Sequence, residues 1–188
     1  MSRRIAVEPA KAYRLMNHGP TVIVTSHHGG RSNIMSAAWS MPLDFNPPKV
    51  AVVIDKSTFT RGLIEASGEF VLNIPSRQLA RLTVDVGNES GADVDKFAAH
   101  GIAATAGSIV QAPLVDGCLG WLECRLIPEP HIQQAYDLFL GEVVAAWADP
   151  AVFDGAHWTM AAGGKRSIHY VAGGHFFETG DAFDVTAP

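Results

Sequence analysis

Two runs of this chain carry residue types that could build an anion site and a bed for a flat ring. The first is Asp55-Lys56-Ser57-Thr58-Phe59-Thr60, which reads as the hydroxyl-rich start of a helix. The first N–H groups of a helix have no intrahelical partner, and the aligned peptide dipoles place partial positive charge there, so such a start attracts phosphate. Ser57 or Thr58 can cap this helix, and Lys56 with the hydroxyls of Ser57, Thr58 and Thr60 can contact an anion. The second run is Asn33-Ile-Met35-Ser36-Ala37-Ala38-Trp39-Ser40. Its small Ser36-Ala37-Ala38 face lets a planar ligand lie against strand backbone. The same residue types also make an ordinary capped helix after a buried hairpin, and spacing alone leaves both readings open.

The elements that must hold these runs are legible around them. The β-branched stretch 21–25 predicts a strand, and His28-Gly-Gly-Arg31 a turn into a second strand over 32–40. Asn46-Pro47-Pro48 makes a corner, and 49–55 reads as a strand apolar on both faces. The helix from 58 to 67 stops at Gly68, and a third strand spans 70–74. Ser76 is placed to cap a helix with Leu79, Leu82 and Val86 on one face, and residues 87–97 form a polar loop entering a short helix through Ala99. Upstream, residues 8–17 read as a helix with Pro9 in its first turn, Ala12, Leu15 and Met16 on its apolar face and Gly19 beyond it. Downstream, 109–112, 118–127 and 138–147 read as strands, and the tail from Gly163 as loop, strand, Gly173-Gly174 turn and strand.

Taken in order, these runs resemble the flavin reductase-like family of FMN-binding split barrels. Asn33 to Ala37 matches the family's N-x-x-(S/T)-A strand, Asn46-Pro47-Pro48 its (D/N)-P-P corner, and 57–60 its S-x-T-type phosphate turn. Gly68-Glu-Phe-Val-Leu-Asn73 is similar to its G-E-F-V-x-N strand, and Ser90-Gly-Ala-Asp-Val-Asp-Lys96-Phe97 to the S-G-x-x-V-D-K-F segment of the flavoredoxin-like branch. The resemblance covers roughly residues 20–100. It implies a mainly β split barrel with peripheral helices and non-covalent FMN held by Asn33, Met35, Ser36, Ala37, Ala38, Trp39, Ser40, Asp55, Lys56, Ser57, Thr58 and Thr60. It also implies a loop closing over the flavin with Lys96 and Phe97 nearest. Trp39 could stack on the flavin ring or pack as a core residue on one strand face.

One departure stands out. Related NAD(P)H:flavin reductases carry D-H-x-x-x-x-G-x-V, with the His near the nicotinamide. Here the stretch 135–143 keeps the strand but has Tyr136 at the His position, which moves weight towards the flavoredoxin-like branch. His131 or His169 could substitute.

Composition sets the outer bounds. With 188 residues, 47% hydrophobic and 18% charged, the chain suits one globular domain over 1–188. A net charge of −5 leaves no basic footprint for nucleic acid. No apolar run reaches membrane-spanning length, and Arg3 and Arg4 precede no apolar signal segment, so a cytoplasmic protein is expected. Cys118 and Cys124 fall on one face of a strand but too far apart for an unstrained disulfide. His27-His28 point to opposite strand faces and do not make a metal pair. There is no G-x-G-x-x-G after a strand and no phosphate-binding P-loop.

A flavin brings its own redox chemistry, so the chain need only position it and admit a donor. The expected activity is therefore an FMN-dependent oxidoreductase taking hydride from NAD(P)H and passing electrons to a small-molecule or protein acceptor. An FMN electron carrier without NAD(P)H activity and a split barrel that has lost flavin are the alternatives. The resemblance also implies a homodimer, and the apolar strands 118–127 and 138–147 offer more apolar surface than one barrel interior needs.

Overall fold

The computed structural model describes residues 4–15, 20–160 and 163–185, and the side chains of these except at 13–15. The fold grows from a hairpin. The β-branched run Val22–His28 (β2) turns through Gly29 and Gly30, at φ 58° and 77°, into Arg31–Ala37 (β3). These left-handed conformations suit glycine, which has no Cβ to clash. After a break at Ala38-Trp39, a strand not expected from the sequence, Ser40–Phe45 (β4), pairs with Pro48–Val53 (β5) across the Pro-Pro corner. Phe59–Ser67 (α1) follows and ends at Gly68 in the left-handed region, with the Gly68 N–H donating to Ile64 O at 2.8 Å.

Glu69–Ile74 (β6) leads through a tight 3₁₀ turn, Arg77–Leu79, into Ala80–Asn88 (α2). Lys96–Ala99 (α3) comes next, its N-cap Asp95 accepting from the Ala98 N–H. The short pair Ala104–Thr105 (β7) and Leu114–Val115 (β8) precedes the long strand Gly120–Ile127 (β9). A short helix that the sequence reading left unassigned, Pro130–Tyr136 (α4), precedes Leu138–Ala148 (β10). The chain closes with the hairpin Ile168–Ala172 (β11) and His175–Glu178 (β12).

One eight-stranded antiparallel sheet runs β3-β2-β6-β9-β10-β5-β4, and a first strand, Ile5–Val7 (β1), pairs with the far half of β10. Strand alternation divides the core. Val22, Val24, Val52, Phe70, Leu72, Leu122, Cys124 and Phe139 face one cluster; Ile23, Ile34, Val71, Cys118 and Trp121 face the other, beneath α2 and the 110–115 segment. The mainly β architecture with peripheral helices is the one expected.

Four local expectations are corrected. The segment 109–112 is not a strand, because the backbone N–H groups of Ser108, Ile109 and Val110 bond to the Glu123 carboxylate instead of a ladder, and that of Gln111 to Glu69. Cys118 lies before β9 begins, so it packs in the Trp121 cluster while Cys124 faces the other; both thiols are free, and burial raises their pKa. The upstream helix is a 3₁₀ segment, Pro9–Leu15, with Ala12 fully buried; Met16, Asn17 and Gly19 lie outside the described residues. The apolar surplus on β9 and β10 is covered within the chain, by the Pro9–Leu15 segment on one side and the 110–115 segment on the other. Among the exposed apolar side chains, Trp39, Met41, Leu43 and Phe45 form a row on and beside β4. Among the described residues no helix is long and apolar enough to cross a membrane.

Candidate functional site

Three pieces of the chain, β3, the start of α1 and the end of α2, converge on a cleft of about 250 Å³. Asn33, Met35 and Ser36 come from β3, Ser57 to Thr60 from the α1 start, and Val86 to Gly91 from the α2 end and the loop beyond. Two glycines permit this approach. A Cβ on Gly87 would sit 2.3 Å from Ser36 Oγ, and one on Gly91 2.1 Å from Asn33 Oδ1. Both are closer than a carbon can come.

At the cleft floor the buried Asn33 amide donates to Thr60 Oγ1 at 2.8 Å, fixing the helix start to β3. Thr58 is the N-cap residue of α1 but makes no side-chain cap bond. Its hydroxyl turns back to Asp55 O at 2.8 Å, and Ser57 gives both its N–H (2.8 Å) and its hydroxyl (2.6 Å) to Asp55 Oδ1. The two bonds from Ser57, its hydroxyl first and its N–H second, hold the Asp55 carboxyl below its usual range. The expected capping by Ser57 or Thr58 is thus not made, and the first-turn N–H groups of α1 are left without a side-chain cap. Uncapped N–H donors at a helix start, with hydroxyls able to rotate towards them, suit a phosphate.

Lys96 lines the same cleft and is buried, yet its ammonium donates to Ile34 O (2.9 Å) and Val86 O (2.7 Å). Burial lowers its pKa, and Glu89 opposes that shift. In this arrangement Lys96 ties the loop to β3 and α2. Arg31 braces the wall from behind: its guanidinium stacks 4.4 Å over the Phe59 ring and donates to Gly91 O.

A larger adjoining cavity of about 440 Å³ shares Ser36, Gly87 and Asn88 with the cleft. Ser36, Ala37 and Ala38 form its strand side, Thr83 and Val84 of α2 a second side, and Tyr170 with Phe176 of the closing hairpin a third. Ala37 packs against the main core, while Ala38 is exposed to the slot.

The structure therefore brings together Asn33, Met35, Ser36, Ala37, Ala38, Ser57, Thr58, Thr60 and Lys96. It does not bring the other named residues to these cavities. Asp55 is exposed beneath the turn, holding Ser57. Lys56 lines a separate hollow with Arg61 and Gln134. Phe97 packs in the Trp121 cluster and lines another hollow beside Arg31 and Pro113. Trp39 is 75% exposed, which removes its reading as a core residue. Ser40 is half-buried on β4, its hydroxyl without a hydrogen-bond partner among the described residues. Tyr136 stands exposed at the end of α4, edge-on to His131 at 6.3 Å.

The sequence reading missed Phe59, Gly87, Asn88 and Gly91 as lining residues, and Tyr170 and Phe176 altogether. A glycine following Val86 on the helical face was a readable sign of close helix–strand approach. Aromatics flanking Gly173-Gly174 were a weaker one.

Comparison with known proteins bears on the family and the fold. A family model described as the flavin reductase like domain matches residues 13–168. The uncharacterized protein YddH of Escherichia coli strain K12 is 46% identical over 183 residues, which is 96% of this chain and 97% of that protein. A crystal structure described as the FMN-binding domain of a flavin reductases-like enzyme from Shewanella baltica OS155 superposes with a TM-score of 0.94 at 48% identity, covering 98% of each chain. Flavoredoxin of Desulfovibrio vulgaris (Miyazaki F) superposes with a TM-score of 0.77 at 28% identity, over 89% of this chain and 90% of that one.

Proposed function

Since the chain belongs to the flavin reductase-like family and has its split-barrel fold, we propose that it is an FMN-binding oxidoreductase, a single functional domain that uses NAD(P)H as donor and a small-molecule or protein acceptor. The observation that carries this reading is the joining of a cleft at an uncapped helix start to a ring-sized slot through Ser36, Gly87 and Asn88. The ligand it fits has a phosphate at one end and a flat ring at the other.

In this reading Ser57, Thr58, Thr60 and the first N–H groups of α1 hold the phosphate. Asn33 keeps Thr60 in place, and Ser36 with Ala38 gives the ring a flat bed. Asp55, Lys56, Trp39 and Ser40 act at the margin, and Lys96 and Phe97 anchor the covering loop. Bound FMN supplies the hydride and electron chemistry. The chain positions it, keeps bulk water from one face, and leaves the slot open for a reaction partner. The residues present fit that group: donors without a side-chain cap lie at one end, and the small side chains of Ser36, Ala37 and Ala38 line the slot at the other.

A second reading is favoured by Tyr136, which stands where the related reductases have His. In it the protein is an FMN electron carrier of the flavoredoxin kind. The test for both is an absorption spectrum of the purified protein followed by NADH and NADPH added separately. Bleaching of a bound flavin within seconds supports the oxidoreductase. A flavin spectrum unmoved by either nucleotide supports the carrier, and a protein with no flavin affinity defeats both.

The same reading includes a homodimer. Its support is the row of exposed apolar side chains Trp39, Met41 and Leu43 on and beside β4, an edge strand of the sheet. Such a row on an edge strand needs covering.

A further inference from the structure

The turn that enters α1 is held at both ends by one residue outside the cleft. Asp137 closes α4 just before β10 with its backbone at φ 54°, in the left-handed region. Among the described residues it is the only non-glycine with a positive φ. Glycine takes that conformation without strain, so Asp137 keeps its carboxylate there against the backbone's preference. The Asp137 carbonyl accepts from the Ile54 N–H at 2.8 Å, one residue before the turn begins. Its carboxylate accepts from Arg61 Nη1, one residue after Thr60. Residues 54 and 61 thus bracket the run from Asp55 to Thr60, and both are bonded to Asp137.

Arg61 is the other half of this clamp. It is only 5% exposed, its guanidinium donates to Glu65 Oε1 at 2.8 Å and to Gln133 O at 2.9 Å, and it lies 5.2 Å from the centre of the Phe139 ring. The helix does not need this cation for its own sake. The first turn of α1 holds no acidic residue, and the dipole disfavours positive charge at a helix start. What the guanidinium does is join that turn to the end of α4 by a planar fork of donors, which a lysine cannot reproduce. The neighbouring Thr60 is tied to β3 through Asn33. The first turn of α1 is therefore fixed to two segments distant in sequence.

We infer that Asp137 and Arg61 are positioning residues for the anion end of the site: they fix the first turn of α1 relative to Ile54 and so set the preference for a phosphorylated flavin over its dephosphorylated form. Neither side chain touches the phosphate in this assignment. Both act through the backbone of residues 55–60, whose donors must keep one spacing to converge on a single anion. The inference rests on the FMN reading above and names the residues that shape its phosphate cleft from outside.

The test is fluorescence titration of the full chain with FMN and with riboflavin, which has the same ring and ribityl chain but no phosphate. Wild type should prefer FMN. Asp137→Asn, Asp137→Gly and Arg61→Lys are each expected to shrink that preference roughly tenfold by weakening FMN, with riboflavin affinity within about twofold of wild type. Asp137→Asn combined with Arg61→Lys should do no more than the worse single change, because both break one clamp. Asp137→Gly suits the left-handed backbone and keeps the carbonyl that holds Ile54, so it remains a fair test if an Arg61 variant fails to fold; urea midpoints check each chain. An unchanged FMN-to-riboflavin ratio in folded Asp137→Gly overturns the inference. So does an equal loss of both flavins, which marks a general structural role, and so does a wild type that binds the two flavins equally. A wild type that binds neither flavin refutes the FMN reading and takes the inference with it, and the wild-type titration alone tells that failure from the others.

Discussion

Asn33 Nδ2 donates to Thr60 Oγ1 at 2.8 Å, joining β3 to the first turn of α1 across 27 residues of sequence. Both residues are buried, so this bond sets the position of the helix start relative to the strand bed. Thr60→Val removes the acceptor and leaves a buried amide without its partner. The expected cost is about 1–3 kcal/mol in stability, measured by urea unfolding, with a parallel fall in FMN affinity. A Val variant with unchanged urea midpoint would show that the bond does not hold the cleft.

Changing Ser57 and Thr58 together to Ala should weaken FMN by about 1–3 kcal/mol through lost charge-assisted hydrogen bonds. FMN should also bind better than FAD, since the proposed site offers helix-start donors for one phosphate. Fluorescence titration with both flavins reads the two effects. Undiminished FMN binding in the double variant would move the phosphate elsewhere.

The two alanines of the strand bed should respond differently. Ala38 opens on the slot, so Ala38→Leu is expected to reduce FMN affinity at least tenfold while the unfolding midpoint stays near wild type. Ala37 packs on the main core, so Ala37→Leu should cost about 1–3 kcal/mol in stability by overpacking. The reverse pattern would mean that the ring lies on the other face of β3.

Glu123 is fully buried in β9. Burial raises its pKa, but the N–H groups of Ile109, Ser108 and Val110 and the Trp147 indole outweigh that and hold it below the usual carboxylate range. The folded-state value is depressed, so the stabilisation is present above the unfolded value near 4.5 and is lost as pH falls through the lower folded value. Glu123→Gln places amide donors against donors, and it should destabilise by about 1–3 kcal/mol at neutral pH. The gap between wild type and variant should narrow below about pH 4.5. Urea midpoints at several pH values check this, and a gap independent of pH would contradict it.

If the exposed edge of β4 is the interface of a homodimer, Leu43→Asp should shift the protein to monomer without unfolding it. Sedimentation at micromolar and lower concentrations reads this directly. A wild-type monomer at every concentration that still holds stoichiometric FMN would end the dimer proposal.

The order of motifs from Asn33 to Phe97 made the fold readable, and local spacing also marked the hydroxyl-rich helix start of the candidate site. A strand exposes alternate residues, and a helix start offers its own N–H groups wherever the chain carries it. Other features depended on contacts between distant segments. Gly87 by itself signals only a close approach; that Ser36 is what approaches it, and Asn33 what approaches Gly91, is decided when α2 and the loop beyond it pack on β3. The resemblance placed Lys96 beside the cofactor, but two carbonyls from β3 and α2 claim its ammonium. Strand alternation puts Glu123 on the face of β9 opposite Leu122, and only the 108–110 segment crossing that face makes it a buried anchor. Tyr170 and Phe176 lie more than 130 residues from the strand they face across the slot. Periodicity determined what each segment could become, and packing between segments with no local signal for one another decided which surfaces met.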